Sequence, residues 1–212
     1  MKKILIFLCS ILFSYTTLAL EITNTREYNI RKKYIPNTPK IMQFFSFLCP
    51  YCYNLEKTYH IRNLIKKNIN KNINIKTYHV DFLGDKFGKF LTKIWIIAEQ
   101  IGVEEKIIMP IFKEIQENHT ISNIDKIKNI FLKKTGISIK QYNQFWNSFV
   151  IQMLIKKNDN DIKKTQVNYV PSILINGRYT IEYSRLEMLF KKQFPKKYIE
   201  LIQFLLSINN KN

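Results

Sequence analysis

Cys49 and Cys52 are the residues of this chain whose type and spacing can do covalent chemistry. They enclose Pro50 and Tyr51 in the stretch Ser46-Phe47-Leu48-Cys49-Pro50-Tyr51-Cys52-Tyr53. Two thiols at this separation suit disulfide exchange, in which one sulfur attacks and the other resolves. The attacking form is the thiolate, so the site must favour a thiolate. A helix N-terminus does this, because its unpaired N–H groups and the positive end of its dipole face the cap residue. C-x-x-C is also half of a zinc site. The one further cysteine, Cys9, lies in a segment expected to be removed, and His60, His79 and His119 show no paired ligand spacing. No metal and no cofactor is expected. A purely structural disulfide across two residues closes too small a loop to stabilise much. A redox pair remains.

The flanking elements must put Cys49 at that helix start. Ile41-Met42-Gln43-Phe44-Phe45 is an apolar run of strand type, within a strand expected over 40–47. After the motif, Leu55, Tyr59, Ile61, Leu64 and Ile65 fall largely on one helical face, giving a helix to about Ile69. Pro50 suits the first helical position, where its missing N–H costs nothing. Cys49 is therefore expected at the N-cap with an exposed sulfur, and Cys52 buried one turn in. Glu56, one turn past Cys52, is either placed to move protons or a solvated helix charge.

Met1-Lys2-Lys3, the apolar run from Ile4 to Phe13 and the small residues around Ala19 read as a signal peptide cleaved after Ala19. The apolar run is short for a membrane span of about twenty residues. The mature chain then carries its only two cysteines as C-x-x-C, in a compartment where disulfides form. No cysteine is left for a structural framework, which argues for action on the thiols of other proteins. The formal net charge of +18 could suit nucleic acid or an anionic membrane. The lysines, however, are spread along the chain among many Ile and Asn, so no nucleic-acid partner is expected.

Farther along, 27–34 reads as a weak strand and 73–82 as an alternating one. Helices follow: one through Phe90, Leu91, Ile94, Ile97 and Ala98, one over 104–117 disturbed by Pro110, and one opened by Ser122-Asn123-Ile124-Asp125. A fourth starts at Ser138, with Tyr142, Phe145, Trp146, Phe149, Met153 and Leu154 as a core stripe. Ser172 to Ile175 and Arg178 to Ile181 flank Asn176-Gly177, a strong hairpin signal. A last helical region is capped from Ser184 and interrupted at Pro195.

This order is an α/β thioredoxin-type layout: a thioredoxin-like fold with an inserted all-helical domain. Residues 20–81 and 159–212 form the thioredoxin-like part and 82–158 the insertion. In such a fold Pro171 is a cis proline beside the redox pair. It leaves the backbone at Val170 open to an extended substrate chain.

The sequence resembles the DsbA family of periplasmic thiol–disulfide oxidoreductases of Gram-negative bacteria. The residues that carry the resemblance are Phe44-Phe45-Ser46-Phe47-Leu48-Cys49-Pro50-Tyr51-Cys52-Tyr53, Tyr78-His79-Val80-Asp81-Phe82 and Gly102-Val103-Glu104-Glu105-Lys106. Trp146-Asn147-Ser148-Phe149-Val150, Val170-Pro171 and Ile175-Asn176-Gly177-Arg178-Tyr179 complete it, so it spans nearly the whole mature chain. The resemblance implies a periplasmic enzyme that oxidises reduced exported proteins. It also implies reoxidation by a DsbB-like membrane quinone oxidoreductase. A monomer is expected. Three positions depart from the family pattern. Tyr51 stands where histidine is usual, and Gln43 and Thr77 stand where the family carries a buried acid and a lysine. Losing both charges together is consistent, because losing one would strand the other. These changes leave the reaction class alone and bear on its strength as an oxidant, which Pro50 and Tyr51 between the cysteines tune. Two other activities suit the same residues: a reductase or isomerase of the same fold, and a non-catalytic exported chaperone-like binder.

Overall fold

Every residue of the central strand β2, Ile41–Phe45, is buried, the polar Gln43 among four apolar ones, as a strand covered on both faces requires. It pairs in parallel with β3, Ile75–His79, and antiparallel with β4, Ser172–Ile175. β5, Tyr179–Ile181, and the edge strand β1, Tyr28–Ile30, complete a mixed sheet of order β1-β5-β4-β2-β3. The computed structural model describes residues 27–119 and 123–208. The expected signal segment with its cleavage at Ala19, Cys9, and Ser122 lie outside the described residues. The β4–β5 turn has Asn176 at φ 50° and Gly177 at φ 63°. These are the two positive φ values of a type I′ hairpin turn. A Cβ on Gly177 would sit 2.2 Å from the Ile35 carbonyl oxygen, so the turn is also packed against the loop before β2.

Both faces of the sheet are covered. On one, Ile41, Ile173, Ile175 and Ile181 pack with Leu55, Ile61 and Ile65 and with the last helix. On the other, Met42, Phe44, Tyr78 and Leu174 pack against Ile162 and Val167. A third cluster joins Phe45, Phe47 and the two cysteines to Trp95, Ile108 and Phe112 of the helical segment. That segment comprises α3 (Asp85–Gln100), α4 (Glu104–Gln116), α5 (Ile124–Thr135), α6 (Ile139–Trp146) and α7 (Phe149–Thr165). α4 is continuous through Pro110, and α7 continues unbroken through residues 158 and 159.

Several elements differ from the sequence reading. The single helix expected to Ile69 is two, α1 (Pro50–Tyr59) and α2 (Ile61–Asn68). His60 separates them at φ 47°, its N–H bonded to the Glu56 carbonyl. The fourth inserted helix is also split, at Asn147-Ser148, where Ser148 takes an extended backbone at φ −68°, ψ 133°. The break changes the helical phase. Ile151 turns inward, while Phe149 is 73% exposed and Met153 48%, so the expected core stripe fails at those two residues. Asn123 caps α5, accepting the Lys126 N–H at 2.9 Å. Glu182, not Ser184, stands at the N-cap of α8 (Tyr183–Phe190). Pro195 lies in the first turn of α9 (Phe194–Ser207), starting a helix rather than interrupting one.

Candidate active site

The turn that carries Cys49 is fixed from three directions. His79, at the end of β3, accepts the Phe47 N–H on Nε2 at 3.1 Å. Its Nε2 is therefore the bare nitrogen, and Nδ1 carries the proton toward the Thr92 hydroxyl at 2.7 Å. Gln116 of α4 donates its amide to the Phe47 carbonyl at 2.8 Å. Locally, the Cys49 N–H reaches the Ser46 carbonyl at 3.1 Å, and the Leu48 N–H the Ser46 hydroxyl at 3.2 Å. Nothing near the motif in sequence marks His79 or Gln116 as supports. They arrive from β3 and from the helical segment.

Cys49 is the N-cap of α1, with Pro50 first in the helix. Its sulfur accepts the Cys52 N–H at 3.1 Å. Both thiols are free. The Cys49 thiol is shifted down, chiefly because the Cys52 thiol bonds to it; burial opposes this, and the N–H groups of Cys52 and Tyr51 add to it. Burial, then the bond to Cys49 and its charge, push the Cys52 thiol far up. The pair therefore ionises at Cys49 first. Exposure does not distinguish them. Cys49 is 5% exposed and Cys52 4%, so the exposed sulfur expected for Cys49 is not found. At Cys49 hydrogen bonds outweigh burial, and at Cys52 burial prevails.

The Val170–Pro171 bond is cis. It brings the Val170 carbonyl oxygen to 3.4 Å from the Cys49 sulfur. Beside it runs an open groove of about 240 Å³, lined by Tyr51, Tyr169, Val170, Pro171, Tyr183 and Ser184. Tyr51 does not lean on the sulfur. Its hydroxyl donates to Glu187 of α8, which also accepts the Tyr59 hydroxyl at 2.9 Å. Burial and that carboxylate hold the Tyr51 phenol well above its usual value, so it stays neutral.

Glu56 is 3% exposed, which rules out the solvated helix charge. Burial pushes its carboxyl up and Arg62 pulls it down. Gln43 and Thr77, the two departures from the family pattern, are direct partners in the β2–β3 register. The Thr77 hydroxyl donates to the Gln43 amide oxygen at 3.0 Å. A neutral pair thus occupies the place of two charges. Among the described residues, no group of three or more His, Cys, Asp or Glu could hold a metal.

Known proteins agree with this architecture. The Thioredoxin family profile matches residues 36–192. The thiol:disulfide interchange protein DsbA of Buchnera aphidicola subsp. Schizaphis graminum is 63% identical over 207 residues, covering 98% of this chain and 99% of that protein. DsbA of Escherichia coli strain K12 is 30% identical over 205 residues, covering 97% and 98%. The crystal structure of Proteus mirabilis DsbA superposes with a TM-score of 0.80 at 31% identity, covering 88% of this chain and 98% of that one. A cysteine-to-serine form of that protein, solved with a non-covalently bound peptide PWATCDS, gives a TM-score of 0.79 at 31% identity, covering 88% and 100%. The chain belongs to the DsbA family of thiol:disulfide interchange proteins, oxidoreductases with a thioredoxin-like fold.

Proposed function

We propose that Cys49 and Cys52 are the redox pair and that the chain donates their disulfide to newly exported proteins in the periplasm. The observation that carries this reading is the Cys49 sulfur at a helix N-cap, accepting the Cys52 N–H at 3.1 Å and facing the Val170 carbonyl at 3.4 Å. A substrate thiolate attacks the Cys49 sulfur of the oxidised pair, and Cys52 leaves and takes up a proton. The substrate chain lies along the groove at Val170 and Pro171. A second substrate thiolate then attacks the substrate sulfur of the mixed disulfide, and Cys49 leaves as the stabilised thiolate. Two electrons pass from substrate to enzyme; one proton comes to rest on Cys52, Cys49 stays a thiolate, and the other substrate proton goes to solvent. A DsbB-like membrane quinone oxidoreductase takes the electrons and restores the bond. Glu56 exchanges the Cys52 proton, and Pro50 and Tyr51 tune the cysteine pair. The thioredoxin-like part, 20–81 and 159–212, carries the chemistry, and the insertion, 82–158, closes over it. The chain works as a monomer after removal of the segment ending at Ala19. Among the described residues no helix is long and apolar enough to cross a membrane.

The test is thiol trapping in cells that make the chain. Cys49 and Cys52 should be trapped mostly as the disulfide. A mostly reduced pair would mean a reductase or isomerase. Full function after Cys49→Ser would mean a binder with an idle site.

A further inference from the structure

Beside Cys52, sharing Pro171 and Tyr183 with the substrate groove, lies a small cavity of about 30 Å³. Cys52, Glu56, Arg62, Gln43 and Thr77 line it. It is large enough for a water molecule, which needs roughly 10–15 Å³. Arg62 is 4% exposed, unusual for an arginine. Its guanidinium lies over the Trp95 ring at 5.0 Å, and its Nη2 donates to Glu105 of α4. Glu105 in turn takes Lys66 at 2.8 Å near the surface. Nε and Nη1 of Arg62 are buried without a hydrogen-bond partner. Two such buried donors, on a residue that lines the cavity, call for an acceptor nearby, because an unmet buried charged donor is costly. Glu56 is the carboxylate lining the same cavity, and its Oε2 lies 3.5 Å from the Arg62 backbone nitrogen.

We infer that Arg62 is a positioning residue: it holds Glu56 as the proton acceptor for Cys52 and sets the proton affinity with which Glu56 acts. The inference rests on the exchange reading above, and concerns its slow proton. When Cys52 closes the disulfide, its S–H gives the proton to the Glu56 carboxylate through the cavity. The Cys52 thiolate then attacks the Cys49 sulfur of a mixed disulfide and expels the partner thiolate. When the disulfide is opened, the Glu56 carboxyl returns the proton to Cys52. Burial alone favours the neutral carboxyl, the form that cannot accept. The guanidinium cannot lose its proton, so it is a constant counter-charge. Other groups around Glu56 act in both directions: His60 favours the carboxylate, Glu105 opposes it, and Tyr183 of α8 is neutral. Gln43 and Thr77 bring no charge, so Arg62 is the buried cation of this cavity.

The test uses the whole protein carrying glutathione as a mixed disulfide on Cys49. Release of glutathione by Cys52 is followed against pH by rapid quench. Arg62→Met should move the acid-side inflection up by about one pH unit, a tenfold slower release below it. Arg62→Lys should restore most of the rate. In a Glu56→Gln background, Arg62→Met should move nothing further. An equal shift in that background, or an unmoved profile in folded Arg62→Met, would overturn the inference. Infrared difference spectra between mixed-disulfide and oxidised wild-type protein supply a readout that needs no Arg62 variant. A Glu56 carboxyl band, absent in Glu56→Gln, should appear as the disulfide closes. No such band would also overturn the inference. Glutathione release needs neither an exported substrate nor a membrane partner, so failure here leaves the oxidase reading to its own trapping test.

Discussion

Lowering the pH from about 7 to about 5 should cost the folded protein about 2 kcal/mol through His79 alone. His79 is wholly buried, and burial pushes its imidazole from an ordinary 6.5 down to about 3. Its Nε2 must stay bare to accept the Phe47 N–H. A proton there would set two donors against each other in the turn that carries Cys49. The folded value is depressed, so the stability contribution is present above 6.5 and lost as pH falls toward about 3. At about 1.36 kcal/mol per unit, the whole window is worth about 5 kcal/mol. At about pH 5 the unfolded histidine sits roughly 1.5 units below its pKa, so about 2 kcal/mol of that is already lost. This part depends on the unfolded value and hardly on whether the folded one is 3 or 4. Glu56, pushed up, works in the opposite sense, since its ionised form is the one disfavoured by folding. A comparison of wild type with His79→Gln cancels Glu56 and every other shared group. The glutamine amide oxygen can still accept the Phe47 N–H but does not titrate. Urea unfolding at the two pH values supplies the four free energies. Wild type should lose about 2 kcal/mol more than His79→Gln. Equal losses in the two proteins, within about 0.5 kcal/mol, would refute the buried neutral imidazole as the acid-sensitive support of the turn.

Three further outcomes are expected. In reduced protein at mildly acidic pH, iodoacetamide should label Cys49 well before Cys52, because the two are equally buried and only Cys49 is stabilised as thiolate; equal rates in a peptide map would reverse the assignment. Tyr51→Phe should leave the reduction potential within about 10 mV of wild type, since the hydroxyl is bound to Glu187 rather than to the sulfur, whereas Tyr51→His should raise it by on the order of 30 mV per 1.4 kcal/mol of thiolate stabilisation. Equilibration against glutathione buffers decides this, and an unchanged or lower potential for Tyr51→His would mean that this position does not set the poise. Gln43→Glu alone should lose about 3 kcal/mol by burying a second carboxylate beside Glu56 in a cavity whose one cation is Arg62, and Gln43→Glu with Thr77→Lys should recover most of it across the β2–β3 register; a double variant no more stable than the single would deny that the two positions act as a pair.

The local chemistry of the site was legible in the sequence because local signals carry it. An apolar strand run, a cap position, a proline at the first helical turn and two thiols determine a cysteine at a helix N-terminus. Asn176-Gly177 likewise determines a tight hairpin, since both residues tolerate positive φ. The layout and Pro171 followed from element order, and the family from motifs spread over the chain. What the sequence left open depends on which elements meet. The breaks at His60 and at Asn147-Ser148 interrupt patterns whose apolar spacing continues across them, so periodicity alone runs the helices on. Phe149 and Met153 read as core because a stripe says which residues share a face, not whether anything covers it. Glu56 stays open between a proton carrier and a solvated helix charge until Trp95 and Phe112 of the helical segment close over that side with Arg62. The burial of Cys49, the bare nitrogen of His79 and the neutral Gln43–Thr77 contact arise in the same way. Caps, turns and thiol spacing are set by residues within one helical turn of each other. Burial and the charge it shifts are set by atoms tens of residues apart, and only the tertiary structure brings those together.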